Sequence, residues 1–464
     1  MYHFSFSAKF YVQAIKKSLI IFFLQISGSG RNYLCLKKSY LQLTGQLLNE
    51  DGTTIPDYSD LDVEEVLNEL ETLHITPEIA DQRENAPIPA DSDVSCVNNL
   101  LHSLFSQIDC SLNDELITSS SGLYPYTAYL QSLLCVNKTN NAIKDQAALF
   151  IKDTASQMDD PMLRGWNLGL FKRGQYLRKS RVFDLCGPLH LDIGNANKHI
   201  LNGVSVKLSL WRSRPDFYII RPKVKQGSGP AGVPVANTRR FMIKILSATY
   251  HVCQVQPNPA MYLAHERLLK KSKLALYSYY KSECRKCQIP AGSYSFELAD
   301  VYQGRAPVKL YMGLTYAANS SGDMALNPFQ FINANLTSMV CTLEGKAVEG
   351  SIMNMKYGDT CQESNFVQAY YSLFKNDENV EKNCAISRAE YFSGYNIYCF
   401  QVQSDVRTES GDVFPSPKVG NFCVNMTFGQ ATPEPLSLIM LAYFPDIIKM
   451  DGARNVYTKV KLDK

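Results

Sequence analysis

The sequence lacks the short motifs that mark many enzymes. No Gly-x-x-x-x-Gly-Lys-Ser/Thr occurs, which excludes a P-loop for nucleotide phosphates. No Gly-x-Ser-x-Gly occurs, so there is no nucleophile elbow of that kind. No His-Glu-x-x-His occurs; His265-Glu266 has no second histidine at helical spacing. Histidine itself is scarce, with seven separated copies, so no general-base constellation can be assembled from sequence. Only two tryptophans are present, and there is neither a short-period repeat nor a coiled coil. Net charge is small, +3 at pH 7, so the molecule as a whole exerts no strong pull on nucleic acid.

A disulfide framework is also missing. The thirteen cysteines are odd in number, and Cys135, Cys253, Cys341, Cys399 and Cys423 sit inside apolar runs. That pattern reads as buried, reduced thiols of an intracellular protein. Cys284 and Cys287 form the single Cys-x-x-Cys, and a zinc site would need a second pair or two histidines nearby. At the N-terminus Lys16-Lys17 precede the apolar run Ser18–Ile26 and Ser27-Gly-Ser-Gly30, which imitates a signal peptide. The run is too short to cross a bilayer as a helix. A buried strand ending in a Gly/Ser turn explains it equally well. Four glycosylation sequons, at Asn137, Asn319, Asn335 and Asn425, matter only in a secreted chain, and the odd cysteine count argues against secretion.

What is present is a β texture. The chain has 464 residues, 27 tyrosines and 22 phenylalanines, enough for two or three domains rich in half-buried strands. Alternating or wholly apolar runs recur between turn residues: 40–48, 205–211, 241–254, 308–317, 338–343, 395–403 and 436–444. Helical spacing appears at Asp62–Leu73, with one acidic face, and again at Tyr126–Leu134, Asp145–Met158 and Asn365–Leu373. Between Arg221 and Arg240 lies Gly227-Ser-Gly-Pro-Ala-Gly-Val-Pro234, which suits neither helix nor strand and reads as a boundary. The expected fold is therefore all-β: two tandem antiparallel sandwiches with short helical insertions in long loops.

Candidate chemical groups have simpler explanations. His190 and His199 flank a turn around Gly194-Asn195. Asp109 and Asp114-Glu115 could form an acid/base pair, but Asn113-Asp114 reads better as a hairpin turn between 107–112 and 115–118. Tyr277, Tyr279 and Tyr280, followed by Lys281, Arg285 and Lys286, resemble a nucleic-acid patch, yet alternating strand tyrosines need no ligand. Charge is uneven along the chain. Residues 57–85 are acidic, and basic residues cluster at 164–181, 212–240 and 270–286; a basic inner face toward packaged nucleic acid is one reading, and scattered solvated loop charges are the simpler one.

The stretch from Asn98 to Leu134 carries a resemblance. An Asn98-Asn99 pair leads into an apolar run, then an alternating strand (Ile108, Cys110, Leu112), a tight turn, a short returning strand and a helix. This order resembles a signature of double jelly-roll major capsid proteins. Other segments fit the same family: Phe23–Gly30 and Tyr40–Leu43 as first strands, Phe183–Asp192 and His199–Leu208 as last strands of the first roll. Asn327-Pro-Phe329, Asn365–Phe374, Leu438–Phe444 and Asn455–Tyr457 resemble the second roll. Within the class the chain is similar to capsid proteins of Maverick/Polinton-type virus-like elements in animal genomes, over about residues 20–460. The acidic helix at 62–73 and residues 1–19 depart from the pattern.

Residues 1–19, which do not resemble the family's polar arm, are set apart as an N-terminal arm, and the resemblance implies a first jelly roll over 20–225 interrupted by the helical insertion at about 60–92. A linker at 226–239 and a second roll over 240–464 follow. It implies homotrimers tiling an icosahedral shell beside neighbouring capsomers and penton or minor capsid proteins, with room for non-specific contact with packaged DNA. It implies a virion or intracellular location and no catalytic residue, cofactor, metal or membrane span. The competing expectation is a secreted or surface β-sandwich module binding a glycan or receptor.

Overall fold

The computed structural model describes residues 2–9, 11–16, 19–27, 30–55, 94–134, 145–159, 167–196, 198–221, 224–225, 235–236, 240–374, 386–403 and 418–458. The acidic stretch Asp62–Leu73 and the insertion at about 60–92 lie outside these residues.

Strands of the N-terminal half are β1 (Tyr2–Lys9), β2 (Tyr11–Lys16), β3 (Leu19–Ser27), β4 (Tyr33–Asn49), β5 (Ser95–Cys96), β6 (Phe105–Leu112), β7 (Glu115–Leu116), β8 (Val182–Gly187), β9 (Ser205–Arg212), β10 (Ile219–Ile220), β11 (Val224–Lys225), β12 (Val235–Ala236) and β13 (Phe241–Gln256). Two antiparallel sheets, ordered β1-β13-β4-β8 and β2-β3-β9-β6-β7, make the first sandwich. The C-terminal half holds β14 (Ala275–Ile289), β15 (Ser295–Leu298), β16 (Lys309–Tyr316), β17 (Leu336–Leu343), β18 (Lys346–Asn354), β19 (Ile397–Gln401), β20 (Phe422–Phe428), β21 (Leu436–Met450) and β22 (Val456–Tyr457). Its sheets run β14-β21-β16-β19, with β22 beside β21, and β15-β20-β17-β18.

Period-two alternation sets which side chains meet. Along β4, Leu41 and Leu43 are buried while Tyr40 and Gln42 face outward. They join Ile243 and Val252 of β13, Leu24 and Ile26 of β3, Leu208 and Leu210 of β9 and Ile108 of β6 in one core. Each such buried aliphatic side chain contributes roughly 1.5–3 kcal/mol.

Among the described residues eight short α-helices fill the connections: α1 (Leu100–Ser103), α2 (Tyr124–Leu134), α3 (Leu168–Leu177), α4 (Pro215–Tyr218), α5 (Pro259–Lys270), α6 (Ala317–Ser321), α7 (Val367–Ser372) and α8 (Arg388–Ser393). α2 is buried on nearly every side, the mark of a helix inside a core. It packs on β6 of the first sandwich and on β14 and β21 of the second, whereas α7 packs on β18 and β19 of its own.

Three expectations are corrected. The second unit does not begin at 240. β13 pairs along its length with β4, from Phe241 opposite Asn49 to Val255 opposite Tyr33, so it completes the first sandwich. The crossing between units follows at α5. Gly/Pro-rich composition marks a turn without saying whether the chain returns to the same sheet; here the flanking β11 and β12 pair with each other as the base of an excursion. Asp145–Met158 is not a helix. It contains a single 3-10 turn, Gln146–Ala148, which ends at Leu149 with φ +55°, and its apolar residues are buried from loop backbone. Residues 2–9 and 11–16 are not an arm apart from the sheets; β1 pairs with β13, and β2 with β3.

Candidate functional site

The joint between the sandwiches holds a deeply buried polar network. Asn167 caps α3, its Oδ1 accepting from Leu170 N at 3.2 Å and from Thr154 N at 3.0 Å. Gly169 lets the neighbouring backbone come close, since a Cβ there would lie 1.9 Å from the Lys152 carbonyl oxygen. One turn further, Arg173 is fully buried. Its Nε donates to Cys96 O at 3.0 Å and its guanidinium also reaches Ile151 O. The remaining nitrogen meets Asp153 Oδ1 at 2.5 Å, and Asn167 Nδ2 donates to the same oxygen at 3.0 Å.

The second sandwich closes this network. Tyr395 OH donates to Asp153 O at 2.7 Å. Asn327 Nδ2 donates to Met158 O at 3.1 Å and reaches Asp153 Oδ2 at 3.4 Å. Beside it, Phe329 stacks on Tyr129 of α2 with ring centroids 4.1 Å apart and planes 5° from parallel. Tyr126 and Phe217 meet it edge-on at 5.6 and 5.9 Å. The segment Asn327-Pro-Phe329 is thus a plug from the second sandwich in the first. A cleft over the joint is lined by Lys152, Asp153, Lys172 and Glu390. Lys152 pairs with Glu390 at 2.8 Å and Asp153 is held by Arg173.

A second cross-joint contact is acidic. Asp192 accepts from Ser282 N at 2.8 Å and from Ser282 Oγ at 2.7 Å. Burial pushes its carboxyl up to about 6, against the lowering by these two bonds and by Lys281. A carboxyl raised in the fold contributes stability that is complete below its unfolded value near 3.8 and lost as pH rises through about 6. In Asp192→Asn the amide oxygen accepts from Ser282 N and the amide nitrogen donates to Ser282 Oγ. That variant is expected to lose this decline and to be more stable than the parent above pH 6 by about 3 kcal/mol; urea midpoints measured from pH 4 to 8 check it.

Histidines contribute the opposite slope. His102 and His190, 88 positions apart in sequence, meet edge-on with ring centroids 4.6 Å apart. His102 Nδ1 lies 2.9 Å from Tyr124 OH and His190 Nδ1 lies 2.8 Å from Gln131 Oε1. Burial lowers both, His190 to about 4 and His102 well below the ordinary imidazole range, where the neighbouring His190 adds to the lowering. A lowered base loses its stabilising effect as pH falls from about 6.5 toward 4. His190 therefore does not merely flank a turn, and the sequence carries no signal joining it to His102. His199 offers its backbone oxygen to Tyr277 OH at 3.2 Å.

The remaining candidate groups are absorbed by structure. Asp109 Oδ2 accepts from Trp211 Nε1 at 3.0 Å, and its Oδ1 from Gln107 Nε2 at 2.9 Å and Ser120 Oγ at 3.0 Å. Asn113 and Asp114 carry φ +45° and +69° between β6 and β7, the two left-handed positions of a tight hairpin turn. Cys284 and Cys287 lie three apart on β14 and so point to opposite faces. Tyr277 and Tyr279 are buried on that strand. Of the basic residues, Arg173 is in the joint, Arg285 pairs with Glu283, and Lys286 donates to Ser320 O.

No family model matches the chain. A curated relative, an uncharacterized protein of Caenorhabditis elegans, is 20% identical over 439 residues, 93% of this chain and 91% of that protein. Among solved structures, a chain from the cryo-EM structure of the Sputnik virophage superposes with TM-score 0.60 at 12% identity, over 99% of this chain and 89% of that one. The fold is a double jelly roll. The mavirus major capsid protein aligns at TM-score 0.47 and 9% identity over 99% of this chain and 90% of that one. The faustovirus major capsid protein aligns at 0.48 and 8%, over 96% and 90%.

The double jelly roll gives the joint its meaning. Arg173, Asp153, Asn327 and Phe329 hold the two rolls as one block, and no group of three or more metal-ligating side chains occurs among the described residues. The sequence marks Asn327-Pro-Phe329 and the helix that carries Tyr126 and Tyr129, but not Arg173, which looks like one more surface cation. No helix among the described residues is long and apolar enough to cross a membrane.

Proposed function

We propose that this chain is a structural capsid protein: the homotrimeric building block of an icosahedral virus-like shell, working without catalysis, cofactor or metal. The end-to-end superposition on a chain of a virophage particle carries this proposal, because it spans both rolls and their joint. The polar groups support it: the buried carboxylates, histidines and Arg173 are spent on internal bonds, which leaves function to broad surfaces. Its partners are further copies of itself, neighbouring capsomers and penton or minor capsid proteins. Contact with packaged DNA is non-specific and draws on exposed cations such as Arg267, Lys270, Lys271 and Lys273. The protein assembles within the cell and resides in the virion, and its gene belongs to a Maverick/Polinton-type element.

A secreted glycan- or receptor-binding module has less support. The Asn319 side chain is buried, donating to Asn327 O at 3.0 Å and Gln330 Oε1 at 3.2 Å, so that sequon is closed in the fold. Mass photometry followed by negative-stain microscopy of the purified protein decides between the two. A species at three times 52.2 kDa together with closed shells is expected. A monomer that never associates would overturn the capsid proposal.

A further inference from the structure

Two thiols lie opposite each other on adjacent strands of one sheet of the first roll. Cys253 of β13 is the register partner of Cys35 of β4. Among the described strand pairings it is the one in which cysteine opposes cysteine. Directly opposed residues of antiparallel strands have Cα atoms about 4.5–5.5 Å apart, inside the window of about 4.4–6.8 Å that a disulfide spans. Ser39 stitches the site: its hydroxyl accepts from Cys253 N at 3.1 Å and donates to Cys35 O at 2.8 Å. Both side chains leave the same face of the pleat, and the Cys35 thiol is near enough to help raise the pKa of Cys253. Both are reduced, with Cys35 buried and Cys253 half-buried.

We propose that Cys35 and Cys253 are a redox clamp, closing to a disulfide when the protein meets a small-molecule disulfide such as oxidised glutathione. The more accessible Cys253 reacts first. Its thiolate attacks one sulfur of the oxidant, forming a mixed disulfide and releasing one glutathione thiolate. The Cys35 thiolate then attacks the Cys253 sulfur, forming the intramolecular bond and releasing the second glutathione thiolate. Two protein thiols give up two protons and two electrons, and one small disulfide becomes two thiols. Burial and the neighbouring Cys35 hold the Cys253 thiol above its ordinary range, against a lowering by Lys38, so the clamp closes faster as pH rises. Once closed, it ties β4 to the strand that lies beyond the Gly/Pro segment, fixing the first roll against opening along that seam. The clamp does not depend on the capsid proposal.

The test is incubation of the full-length protein with graded oxidised glutathione, alkylation of remaining thiols, non-reducing digestion and mass spectrometry. The expected product is a linked Cys35–Cys253 peptide, two hydrogens lighter than its parts, with two thiols lost per chain and a higher melting temperature that dithiothreitol reverses. Cys35→Ser and Cys253→Ser, each confirmed by circular dichroism to fold in reducing buffer, should abolish the linked peptide and the rise. Three results overturn the clamp: no thiol loss, glutathione retained on Cys253 without closure, or linkage to other cysteines. The parent's linked peptide decides the matter even if a variant fails to fold.

Discussion

Replacing Arg173 by methionine is expected to destabilise the protein by about 3–5 kcal/mol, the usual cost of leaving a buried charge without its partner. Methionine keeps much of the volume, so packing changes little. What changes is Asp153, which retains hydrogen bonds from Asn167 and Asn327 but no cation. The carbonyls of Cys96 and Ile151 lose their donor as well. Adding Asp153→Asn should recover a large part of the loss, because it removes the stranded charge, and the two changes should be non-additive as contacting pairs are. Urea denaturation of both singles and the double gives the coupling. A single-variant loss below about 1 kcal/mol, the scale of an exposed pair, would show that the joint does not rest on this ion pair.

Phe329→Ala carries a similar expected loss, about 3–5 kcal/mol, with a different signature. Phe329 is fully buried, yet its ring belongs to one roll and its cage of Tyr126, Tyr129 and Phe217 to the other. Truncation therefore empties a cavity between two units and weakens their coupling along with their sum. Calorimetry should show the single unfolding endotherm of the parent broaden or divide into two. Phe329→Leu keeps most of the volume and should cost under about 1.5 kcal/mol with one transition retained. A single sharp transition in the alanine variant would mean that the rolls are coupled elsewhere, through contacts such as Asp192 with Ser282.

Much of the fold is legible in local pattern. Alternation placed Tyr277 and Tyr279 on a strand, and Asn113-Asp114 supplied the two left-handed residues its hairpin requires. The Asn98-Asn99 lead is also physical: Asn99 takes φ +59° at the start of α1, a conformation asparagine tolerates, while Asn98 Oδ1 accepts from Asn99 N and Ile151 N. Other features depend on partners distant in sequence. Apolar spacing over 145–158 reported burial of Ala148, Leu149 and Met158 correctly, but burial does not dictate φ and ψ. The assignment of β13 to the first roll follows from hydrogen bonds to residues some two hundred positions earlier. The joint was least legible, because an arginine reads as exposed until the carboxylate and carbonyls that surround it are known.

The placement of β13 has a consequence for how the chain comes into being. In the sheet β1-β13-β4-β8 it is the strand between β1 and β4. When β4 leaves the ribosome its long edge therefore has no neighbour on that side, and it waits for residue 241 and beyond. At ordinary synthesis speed that interval is roughly ten to forty seconds. Throughout it an unpaired strand edge of the kind that invites wrong partners stands uncovered. Faithful production of the block is then governed by what shelters β4 during translation, a period in which neither the completed joint nor the finished core yet exists.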